Sequence, residues 1–359
     1  MSTDTLREVV DGESSLVSWE TWDRIKHTEW FVFAAATTFV ALFSYFFRAA
    51  PLLQGYHGLA RTMLVWAIFA LAFNLLLGQT GLLSFGHAMF WGGAAYAAAL
   101  FAVYIHSDPL FMIIVGTLFA MILAFVSAFI LLRLHTVYFA IVTLAIAQML
   151  YYLVREPLEP WTNGINGLSA SPDAVLGVVS LRQLLPGVLG TLWVDQMYLF
   201  IGAFFIGVVV FITRIRKSPY GLIFKAVREN ETRASFVGLD VWRYKFAAYL
   251  LSGTIAGIAG ALYTVETGFT GVNRLFWETS GDVVVMTVLG GLGTLVGPVL
   301  GAIVFFYFEG VVDGFAYVGR YWLLLLAIAF TAVVWKYPDG LWGMLQQIGS
   351  KLRTIGGDR

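Results

Sequence analysis

Residues 62–107, TMLVWAIFALAFNLLLGQTGLLSFGHAMFWGGAAYAAALFAVYIHS, run from Arg61 to Asp108 for 46 positions without one Asp, Glu, Lys or Arg. A helix rises about 1.5 Å per residue and bilayer hydrocarbon is about 30 Å thick, so about 20 apolar residues cross it once. This stretch therefore holds two crossings, separated by the glycines and small polar residues near its middle. Working outward, charge-free runs at Phe31–Phe47, Leu110–Leu132, Leu134–Val154, Gln196–Thr213, Phe246–Val265, Val283–Phe308 and Tyr321–Trp335 read as further crossings. Only 12% of the 359 residues are charged and 59% are hydrophobic, against roughly 25% charged in an ordinary soluble domain. Forty-four charges cannot cover that much apolar surface in water, whereas a lipid-embedded chain does not need them to. The fold class is an all-α integral membrane protein.

The run Val283–Phe308 is interrupted by Gly290, Gly291, Gly293, Gly297 and Pro298, which predicts a break that turns the chain back. With that turn there are about ten segments and both termini lie in the cytoplasm. Lys and Arg are retained on the cytoplasmic side. In this scheme 16 of the 22 basic residues are inside, eight of them between Arg214 and Lys245. Arg48, Arg61, Arg155, Arg182, Arg274 and Arg320 are outside. The chain divides into a polar N-terminal tail (1–29) with no cleavable signal, a transmembrane region (30–337) and a cytoplasmic C-terminal tail (338–359). Within the membrane region, residues 155–195 form a long external loop, rich in turn pairs such as Asn163-Gly164 and Asn166-Gly167, and 214–245 a charged cytoplasmic loop.

Several chemistries are excluded. There is no cysteine, hence no disulfide, thiolate nucleophile or cysteine metal site. No G-x-x-x-x-G-K-S/T is present to cradle a nucleotide, and Gly290–Gly297 does not match the dinucleotide fingerprint. The five histidines include no H-E-x-x-H pair. A zero net charge argues against binding nucleic acid. No cofactor is expected. No Asp, Glu, Lys or Arg is fixed at mid-membrane, where self-powered carriers place ion-binding groups.

Two glycine-rich stretches remain, Gly78–His87 and Gly290–Gly301. Glycine lets a helix unwind at membrane depth and expose polar groups to a solute path. On that reading Asn74, Gln79, Ser84, His87, Gly290 and Gly291 belong to the translocation path. Close helix packing is the other use of glycine, and it is the one assigned to Gly253–Gly260, where Gly253 and Gly257 fit G-x-x-x-G. The charged loop carries Ser218-Pro219 as a helix start, apolar residues at helical spacing, a Glu229/Arg233 i,i+4 pair and Gly238 as a stop. It reads as one short amphipathic helix. Composition leaves open whether that helix has a partner or is a basic loop fixing topology on anionic lipid.

Four stretches in order, Leu71–Tyr96, Ser218–Gly238 (SPYGLIFKAVRENETRASFVG), Ser252–Tyr263 (SGTIAGIAGALY) and Val288–Ala302 (VLGGLGTLVGPVLGA), resemble permease subunits of ATP-binding-cassette importers. The subgroup is the branched-chain amino acid permeases, M-type rather than H-type. The similarity runs from about Met63 to Gly343, closing with Pro338-Asp339-Gly340-Leu341. Ala94 departs from the family, which often has Gly there, and Asn163–Leu168 keeps only the Asn-Gly-Leu ending of the family's loop. The resemblance implies a homologous permease partner, two cytoplasmic ATPase subunits, an external solute-binding protein, and branched-chain or other small apolar amino acids as substrates. It turns the cytoplasmic helix into a coupling helix, with Ala226, Arg228, Glu229, Asn230, Ala234 and Gly238 matching the family's consensus there. Urea permeases of the same architecture, and a channel or ion-coupled carrier working alone, are the rival readings.

Overall fold

The computed structural model describes residues 30–43, 45, 57–134, 136–177, 181, 195–313 and 321–356. The tail 1–29, His135, the end of the first run and most of the external loop beyond 177 lie outside the described residues. The protein is built almost wholly of helices: α1 (Trp30–Phe43), α2 (His57–Thr80), α3 (His87–Tyr104), α4 (Pro109–Leu131), α5 (Thr136–Arg155), the single turn α6 (Glu159–Thr162), α7 (Gln196–Lys217), α8 (Pro219–Glu229), α9 (Glu231–Phe236), α10 (Val241–Thr267), α11 (Trp277–Gly290), α12 (Val296–Asp313), α13 (Trp322–Lys336) and α14 (Gly340–Gly356). Five of these, within α2, α4, α5, α7 and α10, are long and apolar enough to cross a bilayer unaided. The pair α13 and α14 is bent by 55° at its break, and α1 and α12 are shorter apolar helices.

α2 is the axis of the bundle. From Met63 to Leu76 its side chains are buried on every face, as expected of a helix that is hydrophobic all round. α3, rich in Ala and Gly, is nearly as enclosed. α10 packs against α2, α3 and α4, and small residues set its distance from them. A Cβ on Gly257 would run into Ala120, one on Gly260 would run into the Trp91 carbonyl oxygen, and one on Gly253 would lie 2.7 Å from Ala124. The packing role assigned to Gly253–Gly260 is therefore what the fold uses. Ala94 is fully buried in the same layer, its carbonyl oxygen 2.7 Å from where a Cβ on Gly116 would stand. The outer faces of α4, α5 and α13 carry exposed Ile114, Ile122, Val126, Ile141, Leu324 and Ile328, apolar surface of the kind that lipid covers.

Within Val283–Phe308 the chain breaks where the glycines stand and doubles back as a hairpin of α11 and α12. The two helices touch through glycine: Cβ atoms on Gly290 and Gly301 would collide with the carbonyl oxygens of Gly297 and Met286. Residues 291–295 form the tip.

The two ends of the bundle differ. At one end Asp108 caps α4 by accepting from the Leu110 N–H (2.9 Å). There β1 (Leu168–Ser169) pairs antiparallel with β2 (Phe269–Thr270), and Arg61 bonds Asp195 at 2.6 Å. At the other end lie the hairpin tip, the C-terminus of α2, and α8 with α9.

One expectation is corrected here. Gly221–Gly238 is not a single helix. It breaks at Asn230, whose backbone is extended (φ −162°) and whose side chain caps α9 by accepting from the Arg233 N–H at 2.8 Å. An Asn side chain competes with helical hydrogen bonding and favours an N-cap. The break takes Glu229 and Arg233 off a common helix. α9 is instead held by an ion pair from Glu231 to Lys245 of α10.

Candidate functional site

α2 carries Asn74 one turn before its glycine, and the 3.6-residue period points that amide at the α11–α12 tip. Asn74 is buried and grips both sides of the tip: its Nδ2 donates to the Thr294 carbonyl (2.7 Å) and its Oδ1 accepts from the Gly293 N–H (2.8 Å). Gln79 Nε2 donates to the Gly293 carbonyl at 3.3 Å. Two arginines complete the joint from the basic segment. Arg216, at the end of α7, donates from Nη2 to the same Gly293 carbonyl (2.9 Å), and Arg228 of α8 donates from Nη1 to the Gly78 carbonyl (2.5 Å).

The tip can take this shape because Gly291 (φ +119°) and Gly293 (φ +74°) adopt backbone conformations that side chains disfavour. Thr294 stiffens it, donating to the Gly291 carbonyl (3.0 Å) and accepting from the Gly297 N–H (2.9 Å) at the start of α12. The bend between α13 and α14 presses on the same spot, with the Asp339 carbonyl 2.5 Å from where a Cβ on Gly291 would sit. Segments far apart in the chain, around 78, 216–228, 293 and 339, thus meet at one joint. Charge-assisted bonds to backbone carbonyls are among the stronger ones; the tip is bonded to α2 and α7, and α8 is bonded to α2 beside it.

The other path candidates lie deeper. Residues 81–84 are non-helical, so the break expected between Gly78 and His87 is present, and α3 starts inside the bundle. Ser84 is fully buried, and its Oγ accepts from the Gly86 N–H at 3.2 Å. His87, also fully buried, meets Ser252 Oγ through Nε2 at 2.9 Å, and Ser252 donates to the Ala72 carbonyl at 2.6 Å. Since that serine proton is committed to Ala72, His87 donates from Nε2. Phe73 and Phe90 set their rings 4.9 and 5.7 Å from the imidazole. Gly290 sits in the glycine contact between α11 and α12, and Gly291 at the tip. Asn74, Gln79, Gly290 and Gly291 therefore belong to the joint or its hairpin, and Ser84 and His87 to a buried polar link between α2, α3 and α10.

On the basic segment Ala234 and Val227 are buried against the chain itself, while Ala226, Arg228, Glu229, Asn230 and Gly238 are exposed. Beside them Leu222, Phe236 and Val237 stand 66, 86 and 78% exposed, a band of apolar side chains on a charged surface. Sequence reasoning missed Arg216, Thr294 and this band. Arg216 is one of eight basic residues in a row of charge, and nothing local marks it out.

The family described as "Branched-chain amino acid transport system / permease component" matches residues 55–334. The chain belongs to that family. It is 28% identical over 302 residues, 80% of this chain and 70% of the relative, to the high-affinity branched-chain amino acid transport system permease protein LivM of Escherichia coli (strain K12). It is 27% identical over 327 residues, 77% of this chain and 90% of the relative, to a probable branched-chain amino acid transport permease protein LivM of Methanocaldococcus jannaschii. A nucleoside ABC transporter permease protein, NupC of Lactococcus lactis, is 26% identical over 125 residues, 33% of this chain and 39% of the relative. No solved structure matches. The matched span of this branched-chain permease family member takes in the glycine breaks, both arginines and the hairpin tip, and ends just short of the α13–α14 bend.

Proposed function

We propose that this chain is the permease subunit of an ATP-driven importer and forms the path for branched-chain or other small apolar amino acids. A homologous permease pairs with it, two cytoplasmic ATPase subunits hydrolyse the ATP, and an external solute-binding protein delivers the substrate. The chain crosses the membrane about ten times with both termini in the cytoplasm, and the joint lies at the cytoplasmic end. α8 and α9 dock in the ATPase, their exposed apolar band filling a groove and Arg228 reaching back to Gly78.

The observation that carries this reading is the joint itself. Arg228 sits on the exposed segment yet donates to α2 at 2.5 Å, and Gly78 borders Gly293 at the hairpin tip. A displacement of α8 by a partner is thereby passed to two membrane helices at once. A loop serving only to fix topology has no use for that connection. The test is co-purification of the ATPase subunits with Phe236→Asp, which buries a carboxylate in the proposed groove. Loss of the ATPase subunits from a stably inserted permease pair is the expected result. Full retention, with wild-type ATP hydrolysis, would overturn the docking surface.

A further inference from the structure

At the end of the bundle opposite the joint, α2, α10, α11, α12 and α13 enclose a cavity of about 510 Å³, within the size range of small-molecule sites. Its walls are of two kinds. Trp66, Phe306 and Trp322 provide an aromatic side, with the Trp66 and Phe306 rings 5.3 Å apart. Charges of both signs line the cavity as well. Arg274 lies over the Tyr263 ring at 4.6 Å and near Trp66 at 6.0 Å. Glu278 and Asp282 stand four residues apart on α11, and Glu309 comes from α12. Glu278, Glu309 and Arg274 are all close enough to Asp282 to act on its charge, yet no ion pair joins Arg274 to Glu278 or Asp282 among the described residues. Thr62, also in the wall, donates to Glu266 Oε1 at 2.9 Å. Arg61 Nε lies 3.8 Å from the same Oε1, and Glu266 Oε2 is buried with no hydrogen-bond partner among the described residues.

A cavity with an aromatic wall, one guanidinium and an excess of carboxylates is complementary to a molecule that has an apolar body, one carboxylate and one aminium group. We propose that it is a binding site for a zwitterionic apolar α-amino acid. The ligand's aminium sits against Glu278 and Asp282, its carboxylate on Arg274, and its side chain on the Trp66, Phe306 and Trp322 wall. A neutral amide such as urea offers no opposite charge to Arg274, Glu278 and Asp282 in a partly desolvated site. The inference rests on the reading of the chain as an amino acid permease and adds where the amino acid is held. Its position also matters, because Glu278 and Asp282 stand on the helix whose far end is the tip gripped by Asn74 and Arg216. Over the 14 residues of α11 the two ends are about 20 Å apart, so one rigid hairpin joins the cavity to the joint.

The experiment is equilibrium binding of radiolabelled L-leucine to the intact transporter complex in nanodiscs, without the solute-binding protein. Competitors are isoamylamine, which lacks the carboxylate, 4-methylvalerate, which lacks the aminium, and urea. Saturable leucine binding is expected, with each single-charge analogue and urea at least tenfold weaker. Arg274→Gln and Asp282→Asn should each weaken leucine at least tenfold. If Asp282→Asn fails to assemble, Glu278→Gln and the analogue series decide in its place. Absence of saturable leucine binding to an intact complex, or undiminished binding in the assembled variants, would overturn the site. Leucine uptake that persists in those variants overturns the site alone. Uptake of urea with none of leucine by the wild type overturns the assignment of function as well.

Discussion

Replacing Asn74 by Leu keeps the branched four-atom side-chain skeleton but removes both bonds that seat the hairpin tip. The Gly293 N–H and the Thr294 carbonyl, held at 2.8 and 2.7 Å in the native chain, lose their side-chain partner in a partly buried place. Interhelical hydrogen bonds in membranes contribute roughly 0.6–1.7 kcal/mol each, so two of them amount to about 1–3 kcal/mol. That corresponds to a shift of roughly 5- to 150-fold in the ratio of seated to released tip. Leu292 stands at the tip and is 38% exposed, and the chain has no native cysteine. A single Leu292→Cys therefore reports tip release through its rate of reaction with a thiol reagent. In the Asn74→Leu background that rate should rise at least fivefold, and substrate-stimulated ATP hydrolysis by the complex should fall with it. Thr331→Ala, on an exposed residue bonded only within its own helix, is the control and should change neither. An unchanged labelling rate together with normal coupling in Asn74→Leu would refute the role given to the joint.

Two further predictions concern topology and the buried polar link. Ser235→Cys should be protected from an impermeant external thiol reagent in intact cells and Ser171→Cys should react; labelling of Ser235→Cys from outside would reverse the orientation. His87→Leu removes the bond to Ser252 (2.9 Å) and should lower the melting temperature of the complex by an amount matching about 1 kcal/mol. His87→Gln, which keeps a donor, should recover most of it, and equal melting of all three would remove the link from the stabilising contacts.

The membrane character and the hairpin were legible because each rests on a local pattern. The 46-residue charge-free run marks membrane character, and within it α2 is long and apolar enough to cross a bilayer; glycines at 290, 291, 293, 297 and 301 mark both a turn and a close helix contact. What Asn74 and Gln79 bond to was not legible. Polar residues beside a helix break suit a solute path and a structural clasp equally well, and their partners lie more than 200 residues away. The same blindness hid Arg216. The basic segment went wrong for a more local reason, since Asn230-Glu231 carries an N-cap signal inside a pattern whose apolar spacing runs on past it. Ala234 shows a further limit. Small apolar residues on an amphipathic helix face whichever neighbour is nearer, and Ala234 faces its own chain, leaving Leu222, Phe236 and Val237 for any partner.

The most direct test of the joint as a coupling element is the stimulation of ATP hydrolysis by substrate in a reconstituted Arg228→Gln complex. The guanidinium bond to the Gly78 carbonyl (2.5 Å) is charge-assisted, in a class that contributes about 1.5–3 kcal/mol. Its loss should reduce substrate stimulation at least tenfold while the ATPase subunits stay bound and basal hydrolysis continues. Wild-type stimulation in an intact Arg228→Gln complex would contradict it.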